Sequence, residues 1–158
     1  MNLFQALKVS FAIVVVLSST ACKKCKVDSA EVNSGAIIQG VVFYPSSGYM
    51  TSSMGGDYVI QSSDSYANNF EVSFDGGGKE SVNYANYTIL AFPVTAKCNA
   101  SFERNVNIDD ATNTVKYTIK VTQCDNCPEE RYTENYVLVP SFPSNYEVIR
   151  ELEIVDKN

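Results

Sequence analysis

The sequence contains no histidine and no tryptophan. Without imidazole there is no Ser-His or Cys-His nucleophile pair and no histidine-containing metal site. Positive charge is also scarce, with 12 Lys and Arg against 18 Asp and Glu for a net −6. That balance argues against nucleic acid as a partner, because nucleic acid is held through basic patches. No apolar run approaches the roughly 20 residues that a membrane-spanning helix needs. The glycines after Asp75 lack both the Gly-Lys-Ser/Thr sequel and the strand-to-helix setting of a phosphate loop, so a plain turn is expected there. These absences point away from an enzyme and imply no cofactor.

What is present begins at the N-terminus. One lysine, Lys8, precedes an apolar run over residues 9–17 that only Ser10 interrupts, and the small residues Ser18-Ser19-Thr20-Ala21 follow. A charged start, a short apolar core and a small-residue exit define a signal peptide. Ser19-Thr20-Ala21-Cys22 resembles a lipobox, with Ser19 where such boxes usually carry Leu and Leu17 two places earlier. The resemblance implies cleavage after Ala21 and lipid attachment at Cys22. More than one acyl chain makes such anchoring stable. Lys23, Lys24 and Lys26 are placed to meet anionic head groups. No Asp follows Cys22, which in lipoprotein sorting favours the outer membrane, and no acidic run of the surface-display kind is present. The expected address is the outer membrane, facing the periplasm.

Cleavage removes one charge, Lys8, and leaves 11 basic against 18 acidic residues, a balance that serves solubility. The expected organisation is a signal peptide over residues 1–21, a flexible tether over 22–35 and one β-rich domain over 36–156. The ten tyrosines suit half-buried strand surfaces.

The domain reads as a chain of short strands. Residues 36–44 are apolar and β-branched, 57–62 form a second strand, and a loop at 45–56 separates them. Ser63 can cap a short helix through Phe70, and the segment 71–74 alternates briefly. Residues 87–96 suit a central strand buried on both faces, in which Pro93 should mark a bulge or an edge. Val115, Tyr117, Ile119 and Val121 alternate with polar residues, the clearest half-buried strand in the chain. Before it, Cys98, Ala100, Phe102, Val106 and Ile108 share one face, with Arg104 the exception. Pairing Val106 with Tyr117 and Phe102 with Val121, around a turn at 109–113, puts both apolar sets on one side. Residues 136–140 and 146–155 supply the last strands. The expected fold is mainly β, a small antiparallel sandwich or curled sheet with one short helix at about 63–70.

Beyond Cys22, four cysteines remain: Cys25, Cys98, Cys124 and Cys127. An even remainder in an oxidising compartment implies disulfides. Extending the hairpin register puts Cys98 opposite Asp125 and diagonal to Cys127, so Cys98–Cys127 is the favoured pair. Cys98–Cys124 is the alternative if a bulge intervenes. Cys124 and Cys127 also have redox spacing, but acidic neighbours and the lack of a helix N-terminus oppose a low thiol pKa. A zinc site of all four cysteines would require Cys25 to fold back from the tether.

From Tyr58 onward the order of parts resembles a group of uncharacterised bacterial lipoproteins. It runs Tyr58-Val59-Ile60-Gln61-Ser62-Ser63, Asn86-Tyr87-Thr88-Ile89-Leu90, Cys98, Tyr117-Thr118-Ile119-Lys120-Val121, the cysteine pair, and Tyr136-Val137-Leu138-Val139-Pro140. The layout is more faintly similar to protease-complex-stabilising domains, whose Gly-Gly-Tyr signature is missing. The expected role is a non-catalytic binding module held at the membrane by lipid, with a protein partner in the cell envelope. The loops at 45–56 and 124–135 are its candidate contact surfaces. A protease-associated inhibitor or stabiliser is the alternative, and a thiol-disulfide enzyme a third reading.

Overall fold

The alternating segment over 114–124 forms strand β9 (Thr114–Cys124), paired antiparallel with β8 (Ser101–Asp109). The structure, a computed structural model, describes residues 25, 27, 30–46, 58–62, 67–124 and 128–157. Val106 lies opposite Tyr117 and Phe102 opposite Val121, the register that the apolar pattern demands. Asp109 closes the turn by accepting hydrogen bonds from the Ala111 and Thr112 N–H groups at 2.9 and 3.3 Å. Asn113 completes it with a φ of 54°, a left-handed backbone that Asn tolerates.

This hairpin is the centre of a four-stranded sheet. Strand β1 (Val32–Gly35) pairs parallel to β8, and β12 (Glu147–Lys157) pairs parallel to β9. The other pairings among the described residues are antiparallel. Strands β2 (Val41–Pro45), β4 (Phe70–Phe74) and β5 (Glu80–Ser81) form a second sheet in the order β2-β4-β5. Strands β3 (Tyr58–Ile60), β6 (Tyr87–Ala91) and β11 (Tyr136–Pro140) form a third, ordered β11-β6-β3. Strands β7 (Val94–Lys97) and β10 (Glu130–Thr133) make a two-stranded ribbon.

The sheet of β3, β6 and β11 is the middle layer. Leu90, Val137 and Val139 face the four-stranded sheet, packing in one core with Phe102, Val106, Tyr117, Ile119 and Val121. Ile60, Ile89 and Leu138 face the opposite way, packing with Phe70, Val72 and Val82. A strand buried on both faces reads as a continuous apolar run, which is why residues 88–91 alternate so little. Full burial of each such side chain contributes about 1.5–3 kcal/mol.

Several expectations need correction. The apolar stretch at 36–44 is not one strand: it turns at Gln39–Gly40 and becomes strand only at Val41. Within that turn Gln39 Nε2 donates to the Ile37 carbonyl at 3.0 Å, and Ile37 is buried in the core. Part of the expected tether is folded, since β1 begins at Val32. It is held by side chains more than by burial: Asn105 Nδ2 donates to Ser34 Oγ at 2.7 Å, and Ser34 Oγ to the Arg104 carbonyl at 3.2 Å. Gly35 is required there, because its φ is 71° and a Cβ would lie 2.1 Å from the Val106 carbonyl oxygen. Residues 87–96 divide at Phe92-Pro93, where the chain leaves the middle sheet for the ribbon. The helix expected at 63–70 is, among the described residues, a single 3₁₀ turn at Ala67–Asn69, and Phe70 already belongs to β4. The loop at 45–56 lies almost wholly outside the described residues. Asp75-Gly76 is a plain turn, closed by the Gly77 N–H donating to the Phe74 carbonyl at 2.8 Å.

Candidate functional site

The inward face of β8 carries Phe102, Arg104 and Val106, so a guanidinium is set among apolar neighbours. Arg104 is 6% exposed. Burying such a charge costs several kcal/mol unless partners compensate it. Two do. Arg104 Nε donates to Asn135 Oδ1 at 2.9 Å, and Nη1 to Glu31 Oε2 at 3.0 Å. Its guanidinium also stands 5.5 Å from the Phe102 ring centroid.

Asn135, between β10 and β11, is the hub of this arrangement. Its amide donates to the carbonyls of Phe92 and Thr133 at 3.1 and 3.3 Å. Its own carbonyl accepts from the Phe92 N–H at 3.1 Å and from Tyr117 Oη at 3.3 Å. One buried residue thus joins the Phe92-Pro93 break to both strands of the hairpin, to β8 through its side chain and to β9 through its backbone carbonyl. Burial holds the Tyr117 phenol well above its ordinary pKa, an effect that Arg104 opposes and Glu31 reinforces.

Arg104 also lines a groove of about 360 Å³ that opens between the first two sheets and β11. Ile37, Val42 and Phe43 on one side and Tyr136 and Val137 on the other give it apolar walls, and Glu31 stands at its rim. Among the described residues Arg104 Nη2 has no hydrogen-bond partner. The site therefore offers an open pair of N–H donors on a fixed cation beside apolar surface, the chemistry that receives a carboxylate. Glu31, exposed, is the carboxylate already present.

The cysteines form a second constellation. Cys124 is buried at the end of β9 and bonded to Cys25, with Cα atoms 5.8 Å apart. The alternative Cys98–Cys124 pair is thereby set aside, and Cys124 does not close a redox pair with its neighbour at 127. A four-cysteine zinc site is excluded in the same way, although Cys25 does fold back onto the sheet. Cys98 is itself disulfide-bonded. Cys22 and Cys127 lie outside the described residues. Cys98 is not an extension of β8: Asn99 turns the chain with a φ of 59°, and the Cys98 N–H donates to the Glu129 carbonyl at 2.8 Å. The expected contact loop at 124–135 is strand over Glu130–Thr133.

Arg104 was visible in the sequence only as a break in an apolar face, and Asn135 gave no signal at all. Compared with known proteins, the chain matches no family model, no curated sequence and no solved structure.

Proposed function

We propose that the protein is an exported lipoprotein, anchored through Cys22 at the outer membrane and facing the periplasm. Its β domain acts as a non-catalytic binding module. The observation that carries the binding role is the Arg104 groove, where a nearly buried guanidinium keeps donors open between apolar walls. The partner is a protein of the cell envelope that presents a carboxylate flanked by apolar side chains. The Cys25–Cys124 bond supports export, since such bonds persist in oxidising compartments.

The test replaces Val42, exposed at the groove, with a photo-crosslinking residue and irradiates native membranes. A second crosslinker at Asn107, exposed on β8, serves as the control. The reading requires a protein adduct from position 42 that position 107 does not give and that Arg104→Met abolishes. Equal adducts from both positions, or none, would overturn it. Intact mass of the membrane form tests the anchor: it should begin at Cys22 and carry acyl chains.

A further inference from the structure

The Cys25–Cys124 disulfide determines how far the domain can stand from its lipid. We propose that it is a clamp that seats one end of the four-stranded sheet directly on the phospholipid surface. The proposal rests on lipid attachment at Cys22.

The argument begins with chain length. Cys22 and Cys25 are three residues apart, and an extended chain spans at most about 3.6 Å per residue. The Cys25 Cα is therefore within about 11 Å of the acylated residue. Cys25 is bonded to the last residue of β9, and its Sγ lies 3.8 Å from the Lys157 carbonyl at the end of β12. The ends of two long, adjacent strands are thus tied to the anchor. Without the bond, the first segment paired into the fold would be β1 at Val32, ten residues from Cys22 and within reach of about 35 Å. The disulfide shortens the tether about threefold, although the sequence between residues 25 and 32 looks like a spacer.

Polarity follows from topology. β8 starts and β9 and β12 finish at the clamped end, and all three have their other termini near the Asp109–Asn113 turn. β9 is 11 residues long, about 35 Å at strand rise. That is several Debye lengths, so Asp109 and Asp110 at the far tip can stand clear of anionic head groups. Lys97 and Lys157 lie at the clamped end, following Lys23, Lys24 and Lys26 in the sequence. Glu129, Glu130 and Asp156 share that end, so charge does not set the orientation alone. The covalent bond does.

The test uses the acylated full chain in vesicles of phosphatidylethanolamine and phosphatidylglycerol. Glu130, near the clamp, or Ala111, at the far tip, is replaced by an azide-bearing residue and coupled to a donor dye; both are exposed. Energy transfer to a head-group acceptor reads the height of each position. A ten-residue Gly-Ser insert is placed either between Lys24 and Cys25 or between Asp28 and Ser29. Transfer should be stronger from 130 than from 111. The insert before Cys25 should lift both dyes by about 17 Å, the mean span of such a linker, and the insert after it should lift neither. Equal lifting by both inserts, or equal transfer from both positions, would overturn the clamp. Both inserts leave the disulfide intact, so the result does not depend on a destabilised variant. Intact mass of the same samples separates the two readings. An unacylated chain overturns the anchor and the clamp with it, whereas an acylated chain lifted by both inserts overturns the clamp alone.

Discussion

At one end of the four-stranded sheet, Cys25 is bonded to Cys124 across 99 residues, and further in, opposite Ile119, Arg104 reaches Glu31 and Asn135. At the other end, Asp109 caps its own turn and Tyr146 Oη donates to Asp110 at 2.8 Å. The first end is held by buried or covalent links between distant segments. The second is held by exposed polar contacts, most of them local. Burial and loop length decide what each link contributes, so the ends should fail at very different cost.

Removing the covalent link should have the largest effect. In the chain-entropy account, a bridge closing a loop of about 100 residues contributes about 4.7 kcal/mol. The paired change Cys25→Ser with Cys124→Ser should therefore lower unfolding free energy in urea by about 4 kcal/mol. A loss below about 1 kcal/mol would mean that the clamped end is held mainly by β1 and the Arg104 network. Next comes Arg104→Ala, which leaves the buried Asn135 Oδ1 without its donor and a cavity where the side chain packed, and should cost about 3 kcal/mol. Arg104→Met refills the space but still leaves Asn135 Oδ1 without its donor, so it should recover only about half of that loss. If Met costs as much as Ala, the guanidinium contributes through its pairs rather than its packing.

The same contrast explains what was legible in the sequence. The hairpin register and its turn were readable because period-2 alternation and a local Asx turn are written within a few residues. The continuous run at 87–96 indicated one strand buried on both faces, which holds for β6 at Tyr87–Ala91, but Pro93 proved to be a break rather than a bulge or an edge. Strand β1 was not legible: Val32, Asn33, Ser34 and Gly35 have no apolar stripe, and what holds them lies about 70 residues away on β8. Cys25–Cys124 was missed for a related reason. Its two cysteines lie 99 residues apart, and Cys25 sits in a stretch that reads as tether. Of the candidate site, Arg104 stood out as a polar residue in an apolar face, but the groove is built from residues 31–43, Arg104 and residues 133–138, far apart in sequence, and no local pattern encodes it.

A smaller effect of opposite sign is expected in the middle layer, away from both ends. Thr88 is 1% exposed, and among the described residues its Oγ1 has no hydrogen-bond partner. A buried hydroxyl without a partner costs about 1–3 kcal/mol by mutational measures. Thr88→Val keeps the shape and removes that cost, so the melting temperature should rise by a few degrees, consistent with about 1 kcal/mol. A fall would show that Thr88 makes a bond, through water for example, that its geometry alone does not reveal.

The smallest effect belongs to the far tip and is best seen as a dependence on pH. The Tyr146 phenol is held above its ordinary value, first by its hydrogen bond to Asp110 and then by slight burial and the charge of that carboxylate. The raised value means that its contribution is complete below the unfolded value of 10.0 and is lost as pH rises through the folded one. Tyr117 acts in the same direction through burial, so stability should decline above about pH 10 with both phenols contributing. Asp109 works at the other extreme. Hydrogen bonds from Thr112 and Ala111 hold its carboxyl below 3.8, so its contribution is present above that value and lost as pH falls through the folded one. Tyr146→Phe should flatten only part of the alkaline decline and leave the acid limb unchanged, because its hydroxyl faces solvent while Tyr117 remains buried. A chemical-denaturation series from pH 3 to 11 on the two proteins reads this directly. If Tyr146→Phe abolished the alkaline decline, the exposed tip rather than the buried phenol would be the alkaline weak point, and the contrast between the two ends of the sheet would reverse.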